Sequence, residues 1–376
     1  MTMHVKSGGT TAWNLSLDLP QPPNVATHTP ETRGLSRDEV KLMVLDKVSG
    51  ERQHATFYQL PQWLDADDVV VVNHSRTLPA SLPVRLATDG QGIRIHLAGR
   101  ITKNLYIVER RTVAGAPDDT RFATGEQLVI DDEALQMLHH QSLEQSTKPQ
   151  GSVVCTVIGH FHPHSRLWYV ECAFDLWRVA EIIGQPIRYG YLREAPDIEA
   201  FQTIFARELG SAEMPSAARP FSERVVASLQ ARGVKLAGIT LHTGTSSHEV
   251  TGRLTDHPFL PEWYHVSAET AALINEANAN HRRVIAVGTT VVRAVESATL
   301  ANGEVVPKAG WTSLIITPES PPRAVTGLMT GLHDSDTSHL AMLYAFTTQE
   351  NLRSAYAEAV AKGYLWHEFG DANLIL

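Results

Sequence analysis

Cysteine is nearly missing from this chain. Cys155 and Cys172 are the two present, too few for a disulfide framework or a cysteine-ligated zinc site, and a reduced pair of small buried side chains is expected. Long apolar runs are missing as well. Nothing approaches the length of a membrane span, and no positively charged start leads into an apolar leader, so a cytoplasmic protein with no membrane partner is expected. Positive charge is in deficit, with 32 Lys and Arg against 41 Asp and Glu and a formal net charge of −9. Binding to nucleic acid would therefore need a local basic patch on an acidic background. The sequence also lacks a Walker loop, a G-x-G-x-x-G turn and a G-x-S-x-G elbow, which argues against nucleoside triphosphatases, dinucleotide-dependent dehydrogenases and α/β-hydrolases. What remains is an ordinary globular composition, 43% apolar and 19% charged over 376 residues. That length suggests roughly two or three domains.

Residues 1–23 read as an N-terminal extension ending in Leu19-Pro20-Gln21-Pro22-Pro23. Lys41 to Asp46 reads as a strand, and Asp68 to Val72 is an unbroken β-branched run of the kind buried on both faces of a sheet. From Leu82 to Phe174 the texture changes to short alternating stretches separated by Gly and Asp turns, the pattern of a small all-β unit. Leu135 to Pro149 reads as a polar loop. Helices return after Asp175. Ser222 and Ser267 are placed to cap two of them, Gly233 suits the end of the first, and Gly363 closes a helix over Arg353 to Lys362. Ser313 to Ile316 reads as a strand after a loop marked by Gly303, Pro307 and Gly310. The expected fold class is α/β: a discontinuous, barrel-like main domain over 24–81 and 175–376, interrupted at 82–174 by an inserted β-barrel.

The most informative stretch is Val284-Ile285-Ala286-Val287-Gly288-Thr289-Thr290-Val291-Val292-Arg293. Its apolar run predicts a buried strand, Gly288 a break, and Val291, Val292 and Val295 a helix. Such a turn aims free backbone N–H groups above the sheet edge, where a carboxylate or phosphate can be held; an ordinary capped strand-to-helix connection is the alternative. Asn73 and Arg76 follow the Asp68 to Val72 run directly, at the strand end where ligands gather in α/β sheets. His242, after the strand Lys235 to Leu241, is a general base or ligand donor, or else a locally bonded loop histidine; His333 reads the same way. Asp371, in an aromatic-Gly-Asp turn, either fixes a pair of hydroxyls or makes a local turn. His160-Phe161-His162-Pro163-His164 has no nearby carboxylate or cysteine to complete a metal site and reads as a solvated turn, and His139-His140 as surface.

With these residues laid out, the chain resembles the S-adenosylmethionine:tRNA ribosyltransferase-isomerases of queuosine biosynthesis. Val284 to Ser297 is close to that family's V-I-A-V-G-T-T-S-V-R-x-L-E-S, Thr240 to Gly244 matches T-L-H-V-G, and Phe369 to Ala372 matches Y-G-D-A. Asn73, Arg76, Pro79 and Ala80 fall on D-x-L-V-x-N-N-T-R-V-x-P-A-R-L, Arg33 on P-x-x-R, and Asp256, His257 and Glu262 on D-H-x-x-H-x-E. Several signature loops depart from the pattern. Pro220 replaces a histidine in the stretch Pro215 to Phe221, Leu260 replaces another, Thr245 to His248 alters G-A-G-T-F, and Gly331 to His339 keeps its histidine but loses Asn and Pro.

The resemblance implies S-adenosylmethionine as co-substrate and ribosyl donor, with adenine and methionine released and no metal or redox cofactor. It implies His242, His333 and Asp371 as the catalytic set, His242 first as base or acid. Gly288, Thr289, Thr290 and Arg293 would take the methionine carboxylate, while Glu262, like Asp371, would hold ribose hydroxyls or the sulfonium side. Asn73 and Arg76 would line the same mouth, and Arg33, Ser216, Thr240, Gly244 and Glu249 complete the substrate-binding set. A tRNA partner predicts a basic face, for which Arg85, Arg94, Arg100, Arg110 and Arg111 on the inserted unit are the candidates, a solvated strand face being the alternative. The acceptor is 7-aminomethyl-7-deazaguanine in tRNA on the first reading. On a second, departures in the loops mark a small-molecule acceptor or cleavage of the donor alone; on a third, a non-catalytic protein retains the donor pocket.

Overall fold

Residues 17, 19–130, 153–162, 165–245, 260–334 and 337–376 are described by a computed structural model. A nine-stranded mixed sheet dominates. It runs, edge to edge, through Lys308–Thr312, Glu262–Val266, Lys235–Leu241, Val69–Asn73, Val284–Val287, Gly327–Gly331, Ala372–Ile375, Lys41–Leu45 and Arg52–Thr56. Its middle is parallel: Val69–Asn73 lies between Lys235–Leu241 and Val284–Val287, and Gly327–Gly331 continues the set. The valine run explains this position. Val69 and Val71 pack into the core on one face with the helices Ala268–Ala279, Thr289–Ser297 and Gln349–Ala361, while Val70 and Val72 pack on the other with Phe57, Leu60, Val225 and Leu229. A strand covered on both faces has no polar side to show.

The second unit is a closed barrel of six antiparallel strands, Ser81–Leu86, Gly92–Arg100, Leu105–Arg111, Gln127–Ile130, Val153–His160 and Leu167–Cys172. The α/β class with an inserted β-barrel is as expected. The main sheet, however, is open-edged, so closure belongs to the inserted unit alone. Alternating residues such as Val84, Ile93, Ile95, Val108 and Val170 fill the barrel, and Leu176, Val179 and Ala180 of the helix Leu176–Ile183 pack against it. Cys155 and Cys172 stand directly opposite each other on neighbouring strands, buried and unbonded.

The expected caps form: Ser222 Oγ accepts from Val225 N at 3.4 Å, and Ser267 Oγ from Thr270 N at 3.1 Å. The C-terminal helix starts earlier than expected, at Gln349, because Thr348 caps it. Ser313 to Ile316 is not a strand. The strand is Lys308–Thr312, which takes in the expected loop residue Gly310, and Leu314 to Ile316 leave the sheet edge to wall a cavity. The polar loop at 135–149, including His139-His140, lies outside the described residues. His160 stacks on Trp168 at 4.4 Å and shares a 2.7 Å hydrogen bond with the Ser165 carbonyl, and no metal-holding cluster occurs among the described residues. No helix among them is long and apolar enough to cross a membrane.

The expected basic face of the barrel is largely dissolved by pairing. Arg110 meets Asp118 at 2.9 Å, Arg111 and Arg166 both meet the fully buried Glu109, at 2.6 and 2.9 Å, and Arg100 meets Asp175 at 3.3 Å. Arg110 and Arg111 are themselves buried, because a carboxylate inside a barrel wall must be compensated where it stands. Arg94 binds Ser81, and Arg85 is exposed.

A cavity where the strand ends meet

The loops at one rim of the sheet enclose a cavity of about 370 Å³. Its floor is the start of the helix Thr289–Ser297. Gly288 sits at φ +97°, a conformation that favours glycine, and a Cβ there would lie 3.4 Å from Ala217. The helix opens with no side-chain cap, so its first N–H groups face Thr289 and Thr290 at the cavity surface. Arg293, one turn on, is not free for an anion: its guanidinium grips Glu262 and donates to the Leu314 carbonyl at 3.0 Å. Glu262 in turn accepts from Gly244 N at 2.9 Å. Gly244 is forced to be glycine, because a Cβ would meet Leu260 at 2.0 Å and the Ala98 carbonyl of the barrel at 2.9 Å.

Ser216, Gly244, Glu262, Gly288, Thr289, Thr290, Arg293 and His333 all line this one cavity. His333 Nε2 shares a 2.7 Å hydrogen bond with Thr330 Oγ1, its ring lies 4.6 Å from that of His339, and burial, reinforced by His339 and His367, holds its pKa well below the usual value. It is a neutral imidazole, able to take a proton.

The other expected residues stand behind the lining and hold it. Asn73 donates to the Leu241 carbonyl at 2.8 Å and accepts from Leu241 N and Ser75 N at 3.0 Å, so it locks two neighbouring strand ends together. His242 points away from the cavity. Its Nδ1 meets Ser75 Oγ at 2.8 Å, its ring stacks on Trp263 at 5.4 Å, and a Cβ on Gly210 would fall 2.6 Å from it. Burial lowers its pKa to about 4. Ser75 passes the contact on to Ser211 Oγ at 2.6 Å, which accepts from Thr243 N at 3.0 Å. This relay fixes the loop that carries Gly244.

Asp371 is likewise occupied. Its carboxylate accepts from Lys41 N at 2.6 Å and Leu365 N at 2.8 Å, closing the loop from Leu365 to Asp371. Arg33 donates to the Phe369 carbonyl of that loop at 2.8 Å. The loop presents His367, at φ +74°, and Glu368 to the cavity. Thr240 is buried within its strand, Arg76 is exposed outside the cavity lining, and Glu249, Asp256 and His257 lie outside the described residues.

Comparison with known proteins fits this arrangement. Residues 15–375 match the family described as queuosine biosynthesis protein. The chain belongs to that family. Among its relatives, the S-adenosylmethionine:tRNA ribosyltransferase-isomerases of Moorella thermoacetica and Symbiobacterium thermophilum are each 33% identical, over 90% of this chain and 94% of theirs. The enzyme of the same name from Desulfitobacterium hafniense is 31% identical over 96% of this chain and 99% of its own. A crystal structure of S-adenosylmethionine tRNA ribosyltransferase from Thermotoga maritima shares the fold, with a TM-score of 0.50 and 22% identity, covering 97% of this chain and all of that one.

Reading the sequence missed a group of lining residues in this family member: Tyr189, Glu213, His339, His367 and Glu368. His367 and Glu368 were within reach, since they directly precede Phe369-Gly370-Asp371, and Tyr189-Gly190-Tyr191 is a paired-aromatic turn. Tyr191 stacks between Tyr189, at 5.6 Å, and His367, at 4.5 Å, and its hydroxyl donates to Glu368.

Proposed function

We propose that the protein transfers the ribosyl group of S-adenosylmethionine, with release of adenine and methionine, to 7-aminomethyl-7-deazaguanine in tRNA. The observation that carries this reading is a single cavity holding an uncapped helix start, a neutral buried histidine and several carboxylates. The N–H groups at Thr289 and Thr290 suit the methionine carboxylate. The sulfonium acidifies the neighbouring C5′ hydrogens, so a base beside that carbon begins the reaction, and enclosure keeps water from it. His333 faces the cavity and is the residue we assign to that proton transfer. His242 and Asp371 then act by holding the loops in place. Arg293 and Glu262 form an internal pair that shapes the mouth rather than an anion clamp.

Alanine at His333 should lower the rate of adenine release by about 10² to 10⁴-fold. The decisive experiment incubates pure protein with S-adenosylmethionine, with and without precursor tRNA, and identifies every product. Adenine and methionine released only with precursor tRNA, together with a heavier tRNA nucleoside, is the expected result. Because pairing neutralises Arg110 and Arg111 on the barrel, a small-molecule acceptor is the reading to set against it. Adenine release indifferent to tRNA would favour that second reading, and binding without release would overturn both.

A further inference from the structure

One corner of the cavity gathers negative charge without a fixed cation. Glu213 and Glu368 both line it, and both act on the buried Tyr189 hydroxyl, which places the two carboxylates about one phenol. The strongest influences on Glu368 come from Tyr191, His367 and Asp334 rather than from an arginine or a lysine. Arg293, the guanidinium of the lining, is held at Glu262. Burial beside these carboxylates keeps Tyr189 and Tyr191 as neutral phenols, so the corner offers oxygen acceptors and stacked π-faces together. That combination suits a poorly hydrated cation. A second observation points to a ligand. Thr245 Oγ1 is buried, the residue being 6% exposed, and has no hydrogen-bond partner among the described residues, although Thr245 lines the cavity. Thr243, two residues before it, donates from its hydroxyl to the Glu213 carbonyl at 2.7 Å, so this orphan hydroxyl belongs to the same corner. A buried polar atom left without a partner costs about 1–3 kcal/mol and implies an occupant that satisfies it.

We propose that the corner formed by Glu213, Glu368 and the Tyr189–Tyr191 stack is a cation subsite, which takes the positively charged centre of a bound substrate, a sulfonium or an ammonium. The strained backbone of His367 and the clamp of Arg33 and Asp371 on its loop then serve to hold Glu368 at that point. The inference rests on the ribosyl-transfer reading for the identity of the two cations, the donor sulfonium and the acceptor aminomethyl group.

The test is calorimetric binding to the full-length protein with matched charged and neutral probes. S-adenosylmethionine is paired with S-adenosylhomocysteine, and 7-aminomethyl-7-deazaguanine with 7-cyano-7-deazaguanine. The wild type should prefer the charged member of one pair by about tenfold or more. In Glu368→Gln and Glu213→Gln that preference should fall to about unity, while the neutral probe binds as before, which also shows that each variant is folded. Loss of preference in the first pair assigns the corner to the sulfonium, and in the second to the acceptor ammonium. Preferences that survive both substitutions overturn the cation subsite and leave the ribosyl-transfer reading standing. A wild type that binds none of the four probes overturns both.

Discussion

Asp371 and Glu368 are carboxylates of one short loop, used in opposite ways. Both oxygens of Asp371 are spent on backbone amides, those of Lys41 and Leu365, and its side chain sees no cavity. Glu368 receives the Tyr191 phenol and faces the cavity. The same division separates Asn73 and His242, tied to strand ends, from His333 and Glu213, which face inward. A brace is worth its energy to the fold, whereas a lining residue is worth its energy to a ligand. The two regions should therefore respond differently to substitution.

The largest difference is expected at Asp371. Asp371→Ala strips acceptors from two amides, at about 1–3 kcal/mol for each group left buried and unpaired, so a loss of roughly 2–5 kcal/mol is expected in urea unfolding. Glu368→Gln should unfold within about 0.5 kcal/mol of wild type, because its replacement still accepts from Tyr191. Equal losses at the two positions would abolish the distinction between brace and lining.

The next effect is a pH slope. Burial depresses His242 from 6.5 to about 4 in the fold. The stability this confers is present above pH 6.5 and is lost as pH falls through about 4, at up to roughly 1.4 kcal/mol per pH unit. Asp371 and Glu368 act in the opposite sense, since burial raises both, and their share is lost as pH rises through their folded values. The histidine slope is therefore read as a difference. His242→Phe keeps a ring against Trp263 and should flatten the dependence of the urea midpoint between pH 6.5 and about 4. An unchanged slope would mean that His242 titrates normally and is not held as a brace.

The division also explains what could be read in the sequence. Val69 to Val72, the Gly288 turn and the caps at Ser222 and Ser267 follow local rules of period, conformation and capping, and these placed the sheet and the cavity floor. Asn73, His242 and Asp371 stood out because a brace needs one side chain at one strand end. Their direction did not stand out. Which side of a strand end a side chain takes depends on partners more than a hundred residues away, as Ser75 is from Ser211 and His242. Tyr189 and Glu213 lie in irregular segments with no period, so their convergence with Glu368 appears only once the chain is folded.

The smallest effect extends the same contrast to the barrel. Arg110 is spent inside, paired with Asp118 and lying 5.0 Å over the Phe122 ring, whereas Arg85 is exposed on the strand Ser81–Leu86. A phosphate contact by Arg85 would release about one counterion, so Arg85→Ala should lower the slope of log K against log salt for precursor tRNA by about 0.7–0.9. Arg110→Ala should leave that slope unchanged and instead reduce barrel stability, since Asp118 loses its partner. The two readouts separate a solvent-facing arginine from a bracing one without reference to catalysis. A slope that falls with Arg110→Ala would mean that its pairing with Asp118 opens when tRNA binds, and an exposed Arg85 with no effect would move the nucleic-acid contact off this strand.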